Sequence, residues 1–196
     1  MSDSIRVGLI GYGYASKTFH APLIAGTPGM ALAAVSSSDA TKVHADWPTV
    51  PVVSEPKHLF NDPNIDLIVI PTPNDTHFPL AKAALEAGKH VVVDKPFTVT
   101  LSQARELDAL AKSLGRLLSV FHNRRWDSDF LTVKALLSEG TLGEITFFES
   151  HFDRFRPQVR NRWREQAGPG SGIWYDLAPH LLAQAENLFG LPVSIT

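Results

Sequence analysis

Ile5 to Ile10 is a nearly unbroken apolar run that stops at Gly11-x-Gly13-x-x-Ser16, and a helical pattern follows from about Lys17 to Ala25. The same punctuation recurs along the next hundred residues. Strand-like runs are predicted at Ala31 to Val35, Val50 to Val53, Ile65 to Ile70, His90 to Val93 and Leu117 to Phe121. Helical patterns fall between them: a short one capped by Asp39 and running through Ala45, then Thr76 to Ala87 closed by Gly88, and Leu101 to Leu114 closed by Gly115. Runs such as Ile65-Asp-Leu-Ile-Val-Ile70 are apolar on both sides of the strand, as a strand covered on two faces requires. Strands of that kind alternating with helices predict an α/β fold built on a doubly wound parallel sheet.

The pattern changes after Phe121. A helix is predicted from Asp127 to Ser138, then strand character over Glu144 to Phe155, a polar loop from Arg156 to Gly172, and a helix from about Trp174 to Leu188. Val193 to Thr196 reads as the start of a further strand. Residues 1–121 are therefore expected to form one domain, and residues 122–196 the beginning of an α+β domain that is incomplete within this length.

Composition narrows the classes. Of 196 residues 44% are apolar, net charge is -2, and there is no cysteine. That leaves no disulfide scaffold, cysteine zinc site or thiol chemistry. Basic residues are dispersed, which argues against nucleic acid as a partner. No apolar run approaches the roughly 20 residues of a membrane span, and no leader pattern opens the chain, so a cytoplasmic protein is expected.

The loop Gly11, Tyr12, Gly13, Tyr14, Ala15, Ser16 has the chemistry of a dinucleotide site. Gly11 permits the tight turn, Gly13 lets backbone approach a pyrophosphate, and the helix N-terminus offers unpaired N–H groups. Ser16 stands where the pattern has its third glycine. Ligands in such sheets sit beyond the carboxyl ends of the strands. Thr72, Pro73, Asn74 and His77 follow the fourth strand there, and Asp94, Lys95 and Pro96 follow the fifth. Thr-Pro-Asn is also ordinary turn chemistry, and a Lys-Pro pair is also ordinary loop, with a bond that can be cis. Asp176 and His180 are four apart, hence on one helix face, where they can share a proton or serve as a cap and a core histidine. The clusters Arg124 to Asp127 and Arg160 to Arg164, the latter holding Trp163, fit either solvated charge with a buried Trp or binding of phosphate or a hydroxylated ligand. His151-x-Asp153 is the best metal candidate, resting on strand alternation alone, and no metal is expected.

These motifs, in this order, resemble the Gfo/Idh/MocA family of NAD(P)-dependent oxidoreductases along the whole chain. The likeness rests on Gly11-x-Gly13, Thr72-Pro73-Asn74 with His77, Asp94-Lys95-Pro96 (usually Glu-Lys-Pro) and Asp176 to His180 (usually Asp-x-Gly-x-His). His122 to Asp127 and Arg162 to Glu165 resemble the subgroup containing NADP-dependent scyllo-inositol dehydrogenases. The resemblance implies catalytic roles for Lys95, Asp176 and His180, with Asn74 and His77 near the nicotinamide. It implies a polyol or sugar substrate and homo-oligomers at full family length, of which this chain would be the first three-fifths. Ala178 and Ala183 depart from the family's usual glycine and aspartate. The rival expectation is a non-catalytic NADP-binding module.

Cofactor choice is read from the second strand's end. An acidic residue there binds the ribose 2′-OH of NAD. Here Ser36, Ser37 and Ser38 occupy it with Lys42 one turn on, which predicts NADP over NAD, with Asp39 turned into its helix as an N-cap.

Overall fold

A computed structural model describes residues 4–153, 155–159, 161 and 165–195. The chain divides into two compact units, Met1–Phe121 and His122–Thr196. The first holds β1 (Ile5–Ile10), α1 (Ala21–Gly26), β2 (Met30–Ser36), α2 (Ala40–Asp46), β3 (Val52–Val53), α3 (Pro56–Phe60), β4 (Leu67–Ile70), α4 (Asn74–Glu86), β5 (His90–Asp94), α5 (Leu101–Ser113) and β6 (Leu118–Phe121). A π-helical turn, Ser16–His20, leads into α1.

All six strands are parallel, in the order β3-β2-β1-β4-β5-β6. Order reverses between β1 and β4, so the helices after those strands leave on opposite faces and open a crevice at the carboxyl edge. The two-faced apolar runs explain the layers. Ile68 and Ile70 of β4 and Val91 and Val93 of β5 pack on Ala81, Ala84, Leu85, Leu107 and Ala111 of α4 and α5. Val7, Leu9, Val35 and Val69 face the other way, on Ala21 and Ile24 of α1 and Val43 of α2. Each fully buried aliphatic side chain contributes about 1.5–3 kcal/mol, so this sandwich carries the unit.

Helix starts follow their caps. Thr100 accepts from the Gln103 amide at 3.3 Å while the Gln103 side chain accepts from the Thr100 amide at 3.3 Å, a reciprocal box that opens α5. Asp39 Oδ1 accepts from the Lys42 amide at 3.3 Å and opens α2. The short α3 is absent from the expectations above. Five residues cannot display a helical period; its signals are Pro56 at the first turn and the buried pair Leu59 and Phe60.

The second unit contains a 3₁₀ turn, Asn123–Trp126, then α6 (Ser128–Ser138) and α7 (Ile173–Phe189). Here two expectations are corrected. Glu144 to Asp153 and Phe155 form no strand, and neither do Val193 to Ile195. A strand exists only against a neighbour that takes its N–H and C=O groups, and the described residues of this unit supply none. The strand alternation that aligned His151 with Asp153 goes with it. Among the described residues no helix is long and apolar enough to cross a membrane.

Candidate cofactor and active site

The glycine loop is shaped by one left-handed residue. Gly11 has φ of 79° and donates its N–H to Ser36 O at 2.7 Å, which ties the loop to the end of β2. Only glycine takes that φ without strain. Gly13 lies outside the left-handed region, accepts from the Lys17 amide at 3.0 Å, and has no atom within 4 Å of where a Cβ would stand. That open space above the start of a helix is what an approaching pyrophosphate needs, so the chain's own geometry fits a dinucleotide. Ser16, in the third glycine's place, is buried, and its Oγ has no hydrogen-bond partner among the described residues. Ala15 is half-buried at the helix start, and Tyr14 is exposed with its ring edge-on to Phe19.

A cavity of about 360 Å³ opens beside this loop. Its walls are Gly11, Tyr12 and Gly13 on one side, Ser36, Ser37 and Ser38 on another, and Asp39 and Lys42 beyond. Ser54 completes it and was not singled out from sequence. Asp39 Oδ2 sits 3.4 Å from the Lys42 ammonium, in addition to its cap. Ser37 Oγ accepts from the Asp39 amide at 3.1 Å and fixes that turn. Tyr12 is held from the far side: its hydroxyl donates to Asp46 at 3.0 Å, and Lys17 pairs with the same carboxylate at 2.8 Å. Burial and the Asp46 charge push the Tyr12 hydroxyl up, so it remains a donor.

A second cluster lies where β4 and β5 end. His77 is fully buried and spans two loops, with Nδ1 2.8 Å from Pro96 O and Nε2 2.9 Å from Thr72 O. A neutral ring has one N–H for those two carbonyls. Burial nevertheless dominates and holds the His77 pKa below its ordinary value, against the pull of both carbonyls and Asp94. His77 is thus a brace that locks the Thr72 loop to the Lys95 loop. Thr76 Oγ1 donates to Pro73 O at 2.6 Å, and Asn74 is buried at the start of α4. Lys95–Pro96 is cis. Asp94 Oδ1 accepts from the Lys95 amide at 2.8 Å. Burial pushes this carboxyl up, but His20, the Lys95 amide and the Lys95 charge outweigh it and hold its pKa below the usual carboxylate range.

In the second unit Asp176 lies in the first turn of α7 and His180 follows on the same face, 7% exposed, with the Phe152 ring edge-on at 6.2 Å. Arg124 pairs with Asp127 at 2.8 Å, places its guanidinium 5.5 Å from the Phe152 ring centre, and its carbonyl accepts from Gln184 at 2.9 Å. Trp163 and Arg164 lie outside the described residues.

Residues 5–122 match the family model described as an oxidoreductase family with an NAD-binding Rossmann fold. Residues 130–196 match the GFO/IDH/MocA C-terminal domain. The chain belongs to the Gfo/Idh/MocA family. Within that family it is 89% identical over its full length to the uncharacterized oxidoreductase YdgJ of Escherichia coli, covering 57% of that protein. It is 42% identical over 99% of its length to the Bacillus subtilis scyllo-inositol 2-dehydrogenase (NADP(+)) IolW, covering 54% of it. Among solved structures, the YPO2259 protein of Yersinia pestis matches with a TM-score of 0.92 at 76% identity, over 98% of this chain and 54% of that one. The chain thus spans a little over half the length of the relatives it matches.

Proposed function

We propose that this chain is the cofactor-binding part and the start of the substrate domain of a cytoplasmic NADP-dependent oxidoreductase acting on a carbinol of an inositol-like polyol or a sugar. The observation that carries the cofactor choice is the wall of the cavity at the end of β2. Three serine positions and Lys42 line it, and its carboxylate, Asp39, is engaged by the Lys42 amide and ammonium. A ribose 2′-phosphate meets hydroxyl donors and a lysine there, and Asp39 stays in its cap. The glycine loop and the first turn of the following helix hold the pyrophosphate. IolW, whose name carries both scyllo-inositol and NADP(+), supports the substrate class.

The bound nicotinamide supplies the hydride acceptor or donor. In this reading His180 takes the hydroxyl proton as general base, Asp176 orients it, and Lys95 hydrogen-bonds the reacting oxygen and stabilises its developing negative charge. A non-catalytic NADP-binding module would leave those three residues without a task. Titrating NADP+ and NAD+ into the wild-type chain and Ser36→Asp tests the cofactor assignment. Wild type is expected to bind NADP+ more tightly, and Ser36→Asp to reverse the order, because a carboxylate attracts the 2′-OH and repels the phosphate. A wild type that prefers NAD+ refutes it.

A further inference from the structure

His20 belongs to none of the motifs above, yet it is 4% exposed at the same sheet edge as the Lys95 loop. It comes from the π turn after β1, and its ring packs on Phe121 at the end of β6, centroids 4.3 Å apart. Its Nε2 lies 3.7 Å from Asp94 Oδ2 and makes no hydrogen bond among the described residues. The other oxygen of Asp94 receives the Lys95 amide at 2.8 Å. The carboxylate is therefore flanked on both sides, by an imidazole and by the backbone of the lysine loop.

We propose that His20 is a positioning residue for that loop: it holds the Asp94 carboxylate, and Asp94 in turn holds the backbone amide of Lys95. Packing on Phe121 alone does not account for a histidine here. A phenylalanine would fill the same space without burying a ring nitrogen that lacks a hydrogen bond, and such nitrogens are rare in folded interiors. A shift of under about 1 Å brings Nε2 to hydrogen-bond length of Asp94. His20 then fixes one side of the carboxylate, which cannot swing away from the lysine loop.

The test needs no substrate. In the chain labelled with ¹⁵N-lysine, exchange of the Lys95 amide is followed in wild type, His20→Phe and His20→Gln. Phenylalanine keeps the packing and removes the nitrogen; the glutamine amide places a donor near the position of Nε2. The Lys89 amide, bonded to Ala84 O at 3.0 Å within the same unit, serves as the control. His20→Phe is expected to speed exchange at Lys95 about tenfold with Lys89 unchanged, as loss of one ordering contact implies. His20→Gln is expected to restore it. Unchanged exchange at Lys95 in His20→Phe, equal loss at both amides, or no rescue by glutamine would each overturn the proposal.

The kinetic consequence rests on the catalytic role proposed for Lys95, and is read in the full-length protein with NADP+ and scyllo-inositol as probe. His20→Phe is expected to lower kcat about tenfold or more, as misplacement of a reacting group does, with KM for NADP+ nearly unchanged. Lys95→Ala is run beside it. An active Lys95→Ala refutes the catalytic reading, whereas an inactive Lys95→Ala beside a fully active His20→Phe refutes the positioning role alone.

Discussion

The two glycines of the loop after β1 are expected to separate folding from cofactor binding, because their backbones make different demands. At Gly11 φ is 79°, and an L-residue pays about 1–2 kcal/mol in the left-handed region. A Cβ there would meet Thr72 Cγ2 at 3.7 Å, ordinary van der Waals contact, so sterics add little to the backbone term. Gly11→Ala should therefore lower Tm by about 3–10 °C for a unit of this size. At Gly13 φ lies outside that region and nothing approaches within 4 Å of a Cβ. Gly13→Ala should leave stability unchanged or raise it by up to about 1 kcal/mol, since alanine has less freedom to lose on folding. Its methyl group would nevertheless stand in the space where backbone must approach the pyrophosphate. Losing one or two charge-assisted hydrogen bonds of about 1.5–3 kcal/mol each weakens NADP+ at least tenfold. Thermal unfolding and fluorescence titration of both variants separate the effects. A Gly13→Ala chain that binds NADP+ like wild type, or a Gly11→Ala chain as stable as wild type, refutes this account of the loop.

In the full-length protein, Lys95→Ala and His180→Ala should each lower kcat about a hundredfold or more while the NADP+ Kd changes far less; near-normal turnover in both would remove them from the chemical step. Stability should fall on acidification in two stages. His77 has a depressed folded pKa, so its contribution is full above the unfolded value of about 6.5 and is lost as pH falls through the folded value; Asp94, also depressed, does the same below about 3.9. Tm measured from pH 8 to pH 3 should show both declines, the first missing in His77→Gln and the second reduced in Asp94→Asn; a Tm that is flat between pH 7 and pH 5 contradicts the His77 part.

The sheet was legible because burial on two faces writes itself into consecutive residues. Ile68 and Ile70 serve one layer and Val69 the other, so the run cannot be mistaken for a half-exposed strand. The cavity at the end of β2 was legible for a related reason: a turn, an open approach and a strand end each have a local signature, at Gly11, Gly13 and Ser36 to Ser38. His20 was not legible. Its meaning depends on Asp94 and Phe121, which are remote in sequence, and the pattern around it reads only as one more helical turn. His77 was placed at the ligand edge of the sheet from its loop, but its role as a brace appears only when the Thr72 and Pro96 carbonyls are seen on either side of its ring.

The strand expected over Glu144 to Phe155 failed for the opposite reason, since its local signal was strong. Phe147, Phe148, Phe152 and Phe155 are residues that strands favour, yet that preference measures fit to a pleated, partnered surface rather than a backbone tendency. Their surroundings show how differently such residues can be used. Phe148 meets Phe189 of α7 edge-on at 5.1 Å, and Phe152 lies against Arg124 and His180. Phe147 and Phe155 are 77% and 91% exposed. Two of the four thus pack on helical residues, with no ladder beside them among the described residues, and two present their rings to solvent. Aromatic spacing therefore recorded a demand for burial, and only the presence of a neighbouring strand could have converted that demand into a sheet.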